Sequence, residues 1–158
     1  MSEELEKCTI VVHSGDMDSV MAAFIIATTA ASMGRETAMF FTFWGIKAIQ
    51  KGNLTGSSFF ERMLGIMNRG GIDRIGPSKF NFGGLGRWMF KKMMKDKGIT
   101  SLPELRQMAI DLGVKLLACQ MSMDVMEITR EDLIDEVSDV VGAATYCNEA
   151  LQGQALFI

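Results

Sequence analysis

Short apolar runs alternate with helical segments along this chain, and this alternation constrains the fold more than any other feature. The runs at 8–13 (CTIVVH) and 36–43 (ETAMFFTF) have the composition of strands that are buried on both faces of a parallel sheet. Between them the sequence predicts a helix over 17–33, which Gly34 ends. Strand, helix and strand in this order form a βαβ unit with a right-handed crossover.

The alternation resumes after Gly98. Ser101-Leu102-Pro103-Glu104 marks a helix start, and that helix ends by Gly113. The later elements are predicted as a strand at 114–118, helices at 121–126 and 128–134, a strand at 137–141, a helix at 142–151 and a strand at 155–158. A chain of 158 residues suits one domain, 1–158. We therefore predict a three-layer α/β/α fold with a five-stranded, mainly parallel sheet.

Residues 52–98 interrupt this pattern and are predicted to form an inserted helical and loop element. Ser57 is expected to cap a helix through 68, a glycine-rich irregular stretch covers 69–87, and 88–97 is helical. From Lys51 to Lys97 there are ten Lys and Arg against three acidic residues, whereas the rest of the chain is acidic. Such a basic island suits an acidic protein, an anionic lipid surface or a phosphorylated ligand, or it is simply a solvated face.

The same element is rich in large apolar residues. Its aromatic side chains exceed what a short appendage can bury on itself, so some should meet the body or another chain. They include Phe59, Phe60, Phe82, Trp88 and Phe90.

Several classes of protein are disfavoured by the sequence. The uncharged stretch between Asp18 and Arg35 is shorter than the ~20 residues that a bilayer requires. The acidic start, MSEELEK, lacks the order of a secretory signal, and three dispersed cysteines do not form a disulfide framework, so we expect a cytoplasmic protein. With a single histidine and no closely spaced cysteines, we expect no metal site, and we also expect no cofactor and no nucleic-acid partner.

Two predicted strand ends carry the candidate chemistry, at Ser14-Gly15-Asp16 and at Cys119-Gln120-Met121-Ser122. In a parallel sheet both lie on the same edge, where ligands gather. Cys119 stands where a strand gives way to a helix, and amide groups and the helix dipole there stabilise a thiolate. The alternative is that Cys119 is a small buried hydrophobic residue.

Two further residues are possible auxiliaries. His13, at the exit of the first strand, could hydrogen-bond a ligand or be a core histidine. Cys147 could act as a resolving thiol, although Cys147 and Cys8 are both typical packing cysteines. Asp16 and Asp18 are explained by helix capping alone.

The blocks at 14–45 and 118–126, extended by 141–158, resemble the DsrE/DsrF-like family, in its branch often labelled peroxiredoxin-like. The resemblance implies a five-stranded parallel domain that forms homo-oligomers, commonly trimers or hexamers, and that handles sulfane sulfur on a cysteine matching Cys119. It does not imply peroxidase activity, because Leu116 stands where that chemistry normally has a threonine.

The function that this resemblance implies is a sulfur carrier or sulfurtransferase. Cys119 would take sulfane sulfur from a donor protein and pass it to a partner thiol on a sulfur-carrier protein or related subunit. The backbone amides of Gln120, Met121, Ser122 and Met123, with the Ser122 hydroxyl, would hold the persulfide, and Ser14 and Gly15 would form the facing wall. The alternative is a non-catalytic adaptor that docks on an acidic protein or contacts a membrane surface through 79–97.

Overall fold

Five parallel strands form the centre of the computed structural model, which describes residues 6–151 and 153–158. They are β1 (Lys7–Val12), β2 (Glu36–Phe41), β3 (Lys115–Cys119), β4 (Asp139–Val141) and β5 (Gly153–Phe157). Their order across the sheet is β4-β3-β2-β1-β5, and every neighbouring pair is parallel. The predicted α/β fold is confirmed. Residues 1–5 lie outside the described residues. They belong to the acidic start on which the prediction about a secretory signal rests.

Six α-helices and four 3₁₀ segments connect the strands in the described part of the chain. The α-helices are α1 (Met17–Ser32), α2 (Phe59–Met67), α3 (Leu85–Asp96), α4 (Leu102–Asp111), α5 (Gln120–Val125) and α6 (Ala143–Glu149). The 3₁₀ segments are Phe43–Ile49, Ile72–Arg74, Phe82–Gly84 and Arg130–Asp132. Within the described ranges, no helix combines the length and the apolar character that a bilayer crossing requires.

The two faces of the sheet are covered unequally. On one face α1 and α4 bury a large core that includes Phe24, Phe41 and Leu116. On the other face α6 covers a small cluster around Phe40, with the Tyr146 ring stacked 5.1 Å from the Phe40 ring. The three layers are therefore present, but one outer layer is thin.

Two helices of the basic segment, residues 52–98, begin at residues other than those predicted. The cap of α2 is Ser58 and not Ser57, because the Ser58 hydroxyl accepts from the Glu61 N–H at 3.4 Å and the Glu61 carboxylate accepts from the Ser58 N–H at 2.9 Å. α3 begins at Leu85, earlier than predicted, because Gly84 takes a left-handed conformation (φ 112°) that starts the helix there.

Two polar clamps tie the basic segment to the sheet's helices. The Asp18 carboxylate in α1 accepts from the Ser78 N–H at 2.9 Å and from the Ser78 hydroxyl at 2.7 Å. The Glu127 carboxylate, after α5, accepts from the N–H and the hydroxyl of Ser57, both at 2.7 Å. The segment is thus attached near the helices that follow β1 and β3.

Candidate functional site

Cys119 is the last residue of β3 and the N-cap of α5, as the change from strand to helix predicts. Its backbone is extended (φ −75°, ψ 115°), and it pairs with Val141 of β4. The side chain is half-buried and packs against the small cluster that contains Phe40 and Tyr146. The thiol therefore lies at the carboxyl edge of the sheet, on the thinly covered face.

The strand register brings His13 and Cys119 to the same edge but not into contact. Phe41 of β2 pairs with both Val12 and Ala118, so that Thr42 lies between His13 and Cys119. Two strand spacings separate His13 from Cys119 by roughly 10 Å. His13 is exposed and stacks on Phe157 with ring centres 5.7 Å apart.

The Ser14-Gly15 turn is shaped by close backbone packing. The Ser14 hydroxyl accepts from the Asp16 N–H and donates to the Asp16 carboxylate, both at 3.2 Å. A Cβ on Gly15 would lie 2.5 Å from the Trp44 carbonyl oxygen, so only glycine fits. The turn stands beside the 3₁₀ segment that follows β2, at the predicted edge.

The four α5 residues predicted to bind substrate divide into two groups. Ser122 and Met123 are buried, and the Ser122 hydroxyl lies 2.8 Å from the Thr42 hydroxyl. Gln120 and Met121 are exposed, Met121 to 70%. The Gln120 amide donates to the Asp124 carboxylate at 2.7 Å.

The other two cysteines have contrasting environments. Cys147 is exposed on α6. Cys8 is 1% exposed near the amino end of β1, away from the edge that carries Cys119. Burial raises the pKa of the Cys8 thiol, against a smaller opposing effect of the Arg35 charge. No group of three or more His, Cys, Asp and Glu side chains within 6–151 and 153–158 could hold a metal ion.

A basic cavity beside the Ser14-Gly15 turn was missed by the sequence prediction. Its volume is about 280 Å³, and its cations are Lys47, Arg69, Arg74 and Arg87. Desolvation lowers the pKa of Lys47, while the nearby Asp16 acts in the opposite direction. The excess of Lys and Arg among glycines in the basic segment was the available signal, but it did not indicate which cations meet.

Comparison with models of known protein families gives a match to one family over nearly the whole chain. The model of the DsrE/DsrF/DrsH-like family matches residues 4–158. Among curated proteins, the chain is similar to the uncharacterized protein YrkE of Bacillus subtilis, with 43% identity over the full length of both chains. It is also similar to the sulfur carrier protein DsrE2 of Allochromatium vinosum, with 33% identity over 90% of this chain and 91% of that protein.

Two solved structures share the fold at low sequence identity. The ychN protein of E. coli matches with a TM-score of 0.56 and 12% identity, over 97% of this chain and 99% of that one. The protein MTH1491 of Methanobacterium thermoautotrophicum matches with a TM-score of 0.53 and 12% identity, over 95% and 96%. At these identities the similarity concerns the arrangement of strands and helices alone.

Proposed function

Because the chain belongs to the DsrE/DsrF/DrsH-like family, we propose that it is a sulfur-relay protein in which Cys119 accepts sulfane sulfur and passes it to a partner thiol. The observation that carries this proposal is the position of Cys119, a half-buried cysteine that is the N-cap residue of a helix at the carboxyl edge of a parallel sheet. The 33% identity with a protein named as a sulfur carrier supports the same role.

The proposed transfer consists of two exchange steps with no net oxidation. The Cys119 thiolate attacks the outer sulfur of a donor persulfide, the sulfur–sulfur bond of the donor breaks, and the donor leaves as a thiolate. Cys119 then carries a persulfide. An acceptor thiolate attacks the outer sulfur of that persulfide, and Cys119 leaves as a thiolate ready for another cycle.

The backbone around Cys119 supports this chemistry better than the side chains do. The first amide groups of a helix have no acceptor within the helix, and here they belong to residues 120–123. We assign these amides of Gln120, Met121, Ser122 and Met123 to holding the negative sulfur. We keep the Ser122 hydroxyl as a candidate for the same role, because it can accept from the Thr42 hydroxyl and still donate its own O–H to the sulfur.

The surroundings of Cys119 are assigned by position. Ser14 and Gly15 form the facing wall at the β1 exit, and His13 and Cys147 are kept as possible auxiliaries. The partners of this function are a sulfur donor and an acceptor, such as a sulfur-carrier protein or a related subunit, with the chain itself as a homo-oligomer.

Mass measurement of the intact protein tests the transfer directly. Reduced wild-type protein is incubated with thiosulfate, polysulfide or a persulfide donor, and we expect one added sulfur atom, with sulfite leaving from thiosulfate, a shortened polysulfide leaving from polysulfide and a thiolate leaving from the persulfide. Peptide mapping should locate the added sulfur on Cys119 in wild type and in Cys147→Ser, and Cys119→Ser should lose it, while the same mapping identifies separately any sulfur on the exposed Cys147. An unmodified Cys119 in the wild-type protein would refute the proposal.

A second candidate function is docking through the basic segment, and the exposure of its aromatic side chains favours it. Phe59, Phe60, Phe82 and Trp88 are each more than three-fifths exposed, among the many cations of the segment. Such a surface suits an acidic protein or an anionic membrane, which residues 79–97 would contact.

Charge reversal separates docking from sulfur transfer. Lys92 and Lys95 of α3 are exposed, whereas Arg87 and Lys91 donate to backbone carbonyls within the segment. We expect Lys92→Glu with Lys95→Glu to abolish flotation with anionic liposomes or capture by an acidic partner, and Cys119→Ser to leave both intact. Binding that is insensitive to the double variant and to salt contradicts docking of this kind.

A further inference from the structure

We propose that the cavity between the Ser14-Gly15 turn and the basic segment is a non-covalent binding site for a small oxyanion such as thiosulfate, sulfate or phosphate. The cavity has a volume of about 280 Å³ and is lined by Lys47, Arg69, Arg74 and Arg87. Cys119 is not among its lining residues, so the site goes beyond the proposed transfer and stands independently of it.

The charge of the lining is the first argument. Four cations meet a single carboxylate, that of Asp16. Ion pairs elsewhere in the described chain join lysines to carboxylates, as for Lys51 with Asp135 and Lys92 with Asp96. None of the four cavity cations forms an ion pair within the described residues. Their positive charge is therefore available to a ligand.

Two of the cations are held in place by neutral partners. The Arg69 Nε donates to the Gly52 carbonyl at 2.6 Å, and an Arg87 terminal nitrogen donates to the Arg74 carbonyl at 2.7 Å. These bonds fix both guanidinium groups without neutralising them. Planar guanidinium groups that keep free N–H donors match the geometry of an oxyanion.

Lys47 provides a partly desolvated charge. It is half-buried, and its stem runs beside Gly15, where an added Cβ would lie 3.1 Å from the Lys47 Cδ. Asp16 is near enough to oppose the pKa shift of Lys47, but the two form no ion pair, and a partly buried ammonium is unfavourable unless an anion pairs with it. An oxyanion in the cavity would supply that partner.

The volume of the cavity and the glycines in its lining indicate which class of ligand it can hold. The cavity volume is at the small end of the ~300–1,000 Å³ range of ligand pockets, which suits a small anion. Gly76, Gly83 and Gly84 contribute no side chains to the lining, and a Cβ on Gly84 would come within 3.4 Å of an Arg87 terminal nitrogen. The glycines thus leave the arginine free to reach a ligand.

Isothermal titration of the reduced protein with thiosulfate, sulfate and phosphate, at fixed ionic strength, tests the site. We expect binding by wild type and by Cys119→Ser alike, because the site does not use the thiol. Lys47→Met and Arg87→Gln should each weaken binding at least ~10-fold, as expected when a charge-assisted contact is lost. The surface control Lys92→Gln should bind like wild type. Preference for thiosulfate would identify a sulfur oxyanion as the ligand, and preference for phosphate a phosphorylated one.

A variant with the opposite expected effect keeps the test independent of folding. Asp16→Asn removes the one carboxylate of the cavity and should tighten binding, which a misfolded protein could not do. Wild-type protein that binds none of the three anions overturns the proposal. The same holds if Lys51→Gln, in the neighbouring cavity that shares Arg69 and Arg74, abolishes binding while Lys47→Met and Arg87→Gln do not. Failure of this site leaves persulfide formation on Cys119 untouched, so the two proposals fail separately.

Discussion

The hydroxyl groups of Thr42 and Ser122 lie 2.8 Å apart and join the end of β2 to the first turn of α5. Ser122 is fully buried, and Thr42 directly follows Phe41, whose strand partner Ala118 directly precedes Cys119. This contact therefore fixes the turn of backbone that directly follows the candidate sulfur-carrying residue.

Removing one of these hydroxyls should lower stability. We expect Ser122→Ala to reduce the free energy of unfolding by about 1–2 kcal/mol, because the Thr42 hydroxyl loses its partner. In a double-mutant cycle with Thr42→Val, the coupling should be about 0.5–1.5 kcal/mol. Denaturant unfolding measures both quantities. Ser32→Ala, an exposed serine in α1, serves as the control, and strictly additive effects would contradict the coupling.

The three cysteines should differ in reactivity in the native protein. Brief alkylation with iodoacetamide should label the exposed Cys147 and the half-buried Cys119, and it should spare Cys8, which is 1% exposed. Burial also raises the pKa of Cys8, so less of its thiolate is present at any pH. Peptide mass analysis reads the pattern. Equal labelling of Cys8 in folded protein would show that the first strand is not packed as described.

The Asp18–Ser78 clamp should hold the basic segment on α1. Although partial desolvation opposes it, hydrogen bonding from Ser78 keeps the pKa of Asp18 below its ordinary value. Asp18→Ala should cost about 0.5–1 kcal/mol for an exposed clamp and speed hydrogen exchange around Ser78. Asp111→Ala, in α4, is the matched control.

The pH dependence of this clamp has a defined sign. Because the pKa of Asp18 is lower in the folded protein, its stabilisation is complete above about pH 4 and is lost as the pH falls through the lower, folded value. Exchange around Ser78 in wild type should therefore approach that of Asp18→Ala only in acid. A difference that persists unchanged at the lowest pH would contradict the assignment.

An ion-pair network at the amino end of the sheet should stabilise the fold modestly. This stabilisation should be present only between an acid and an alkaline limit of pH. Lys115 lies 2.7 Å from Glu36 and 3.5 Å from Glu149. The hydrogen bond to Glu36 raises the pKa of Lys115, and the same bond lowers the pKa of Glu36. The stabilisation should vanish as the pH falls through the lowered Glu36 value or rises through the raised Lys115 value.

Unfolding of Lys115→Met measures that network. The loss at neutral pH should be below about 1 kcal/mol and smaller at high salt, because the pair is largely exposed. At strongly acid pH the variant and wild type should converge. A loss that grows in acid would contradict the predicted sign.

The exposed aromatic surface of the basic segment should support self-association. We expect light scattering to report a trimer or hexamer at micromolar concentration, and Phe60→Ser with Trp88→Ser to shift the population towards monomer. Met33→Ser, which alters an equally exposed apolar residue at the end of α1, should have no such effect. A monodisperse wild-type monomer would contradict the prediction that this surface binds a second copy of the chain.

Most of the sheet was predictable because its strands are apolar runs bounded by turn residues. The predicted starts of β1 and α1 agree with the structure to within one residue. The position of β5 beside β1 was not predictable, since sequence order does not determine which strands become neighbours. The Ser58-x-x-Glu61 spacing is that of a capping box and indicates Ser58 as the N-cap of α2. The adjacent Ser57 is also a suitable cap residue and was chosen instead.

The candidate site was predictable only where local sequence determines it. Cys119 was located because a strand gives way to a helix at that residue. The bond between Ser122 and Thr42 joins residues far apart in the chain, and no local pattern indicates it. The basic cavity likewise depends on how the glycine-rich stretch folds back onto the β1 exit, so that Lys47 meets Arg87 only in three dimensions.

The pairing of β1 with β5 has a consequence for the order in which the chain can fold. Residues 7–11 of β1 pair with residues 153–157 of β5 on the side away from β2. That side of β1 therefore stays unpaired until nearly the whole sequence is available. Contacts between such distant residues slow folding, because a long loop must close before they form. During synthesis, an apolar strand edge would therefore stay open to other chains until β5 has emerged.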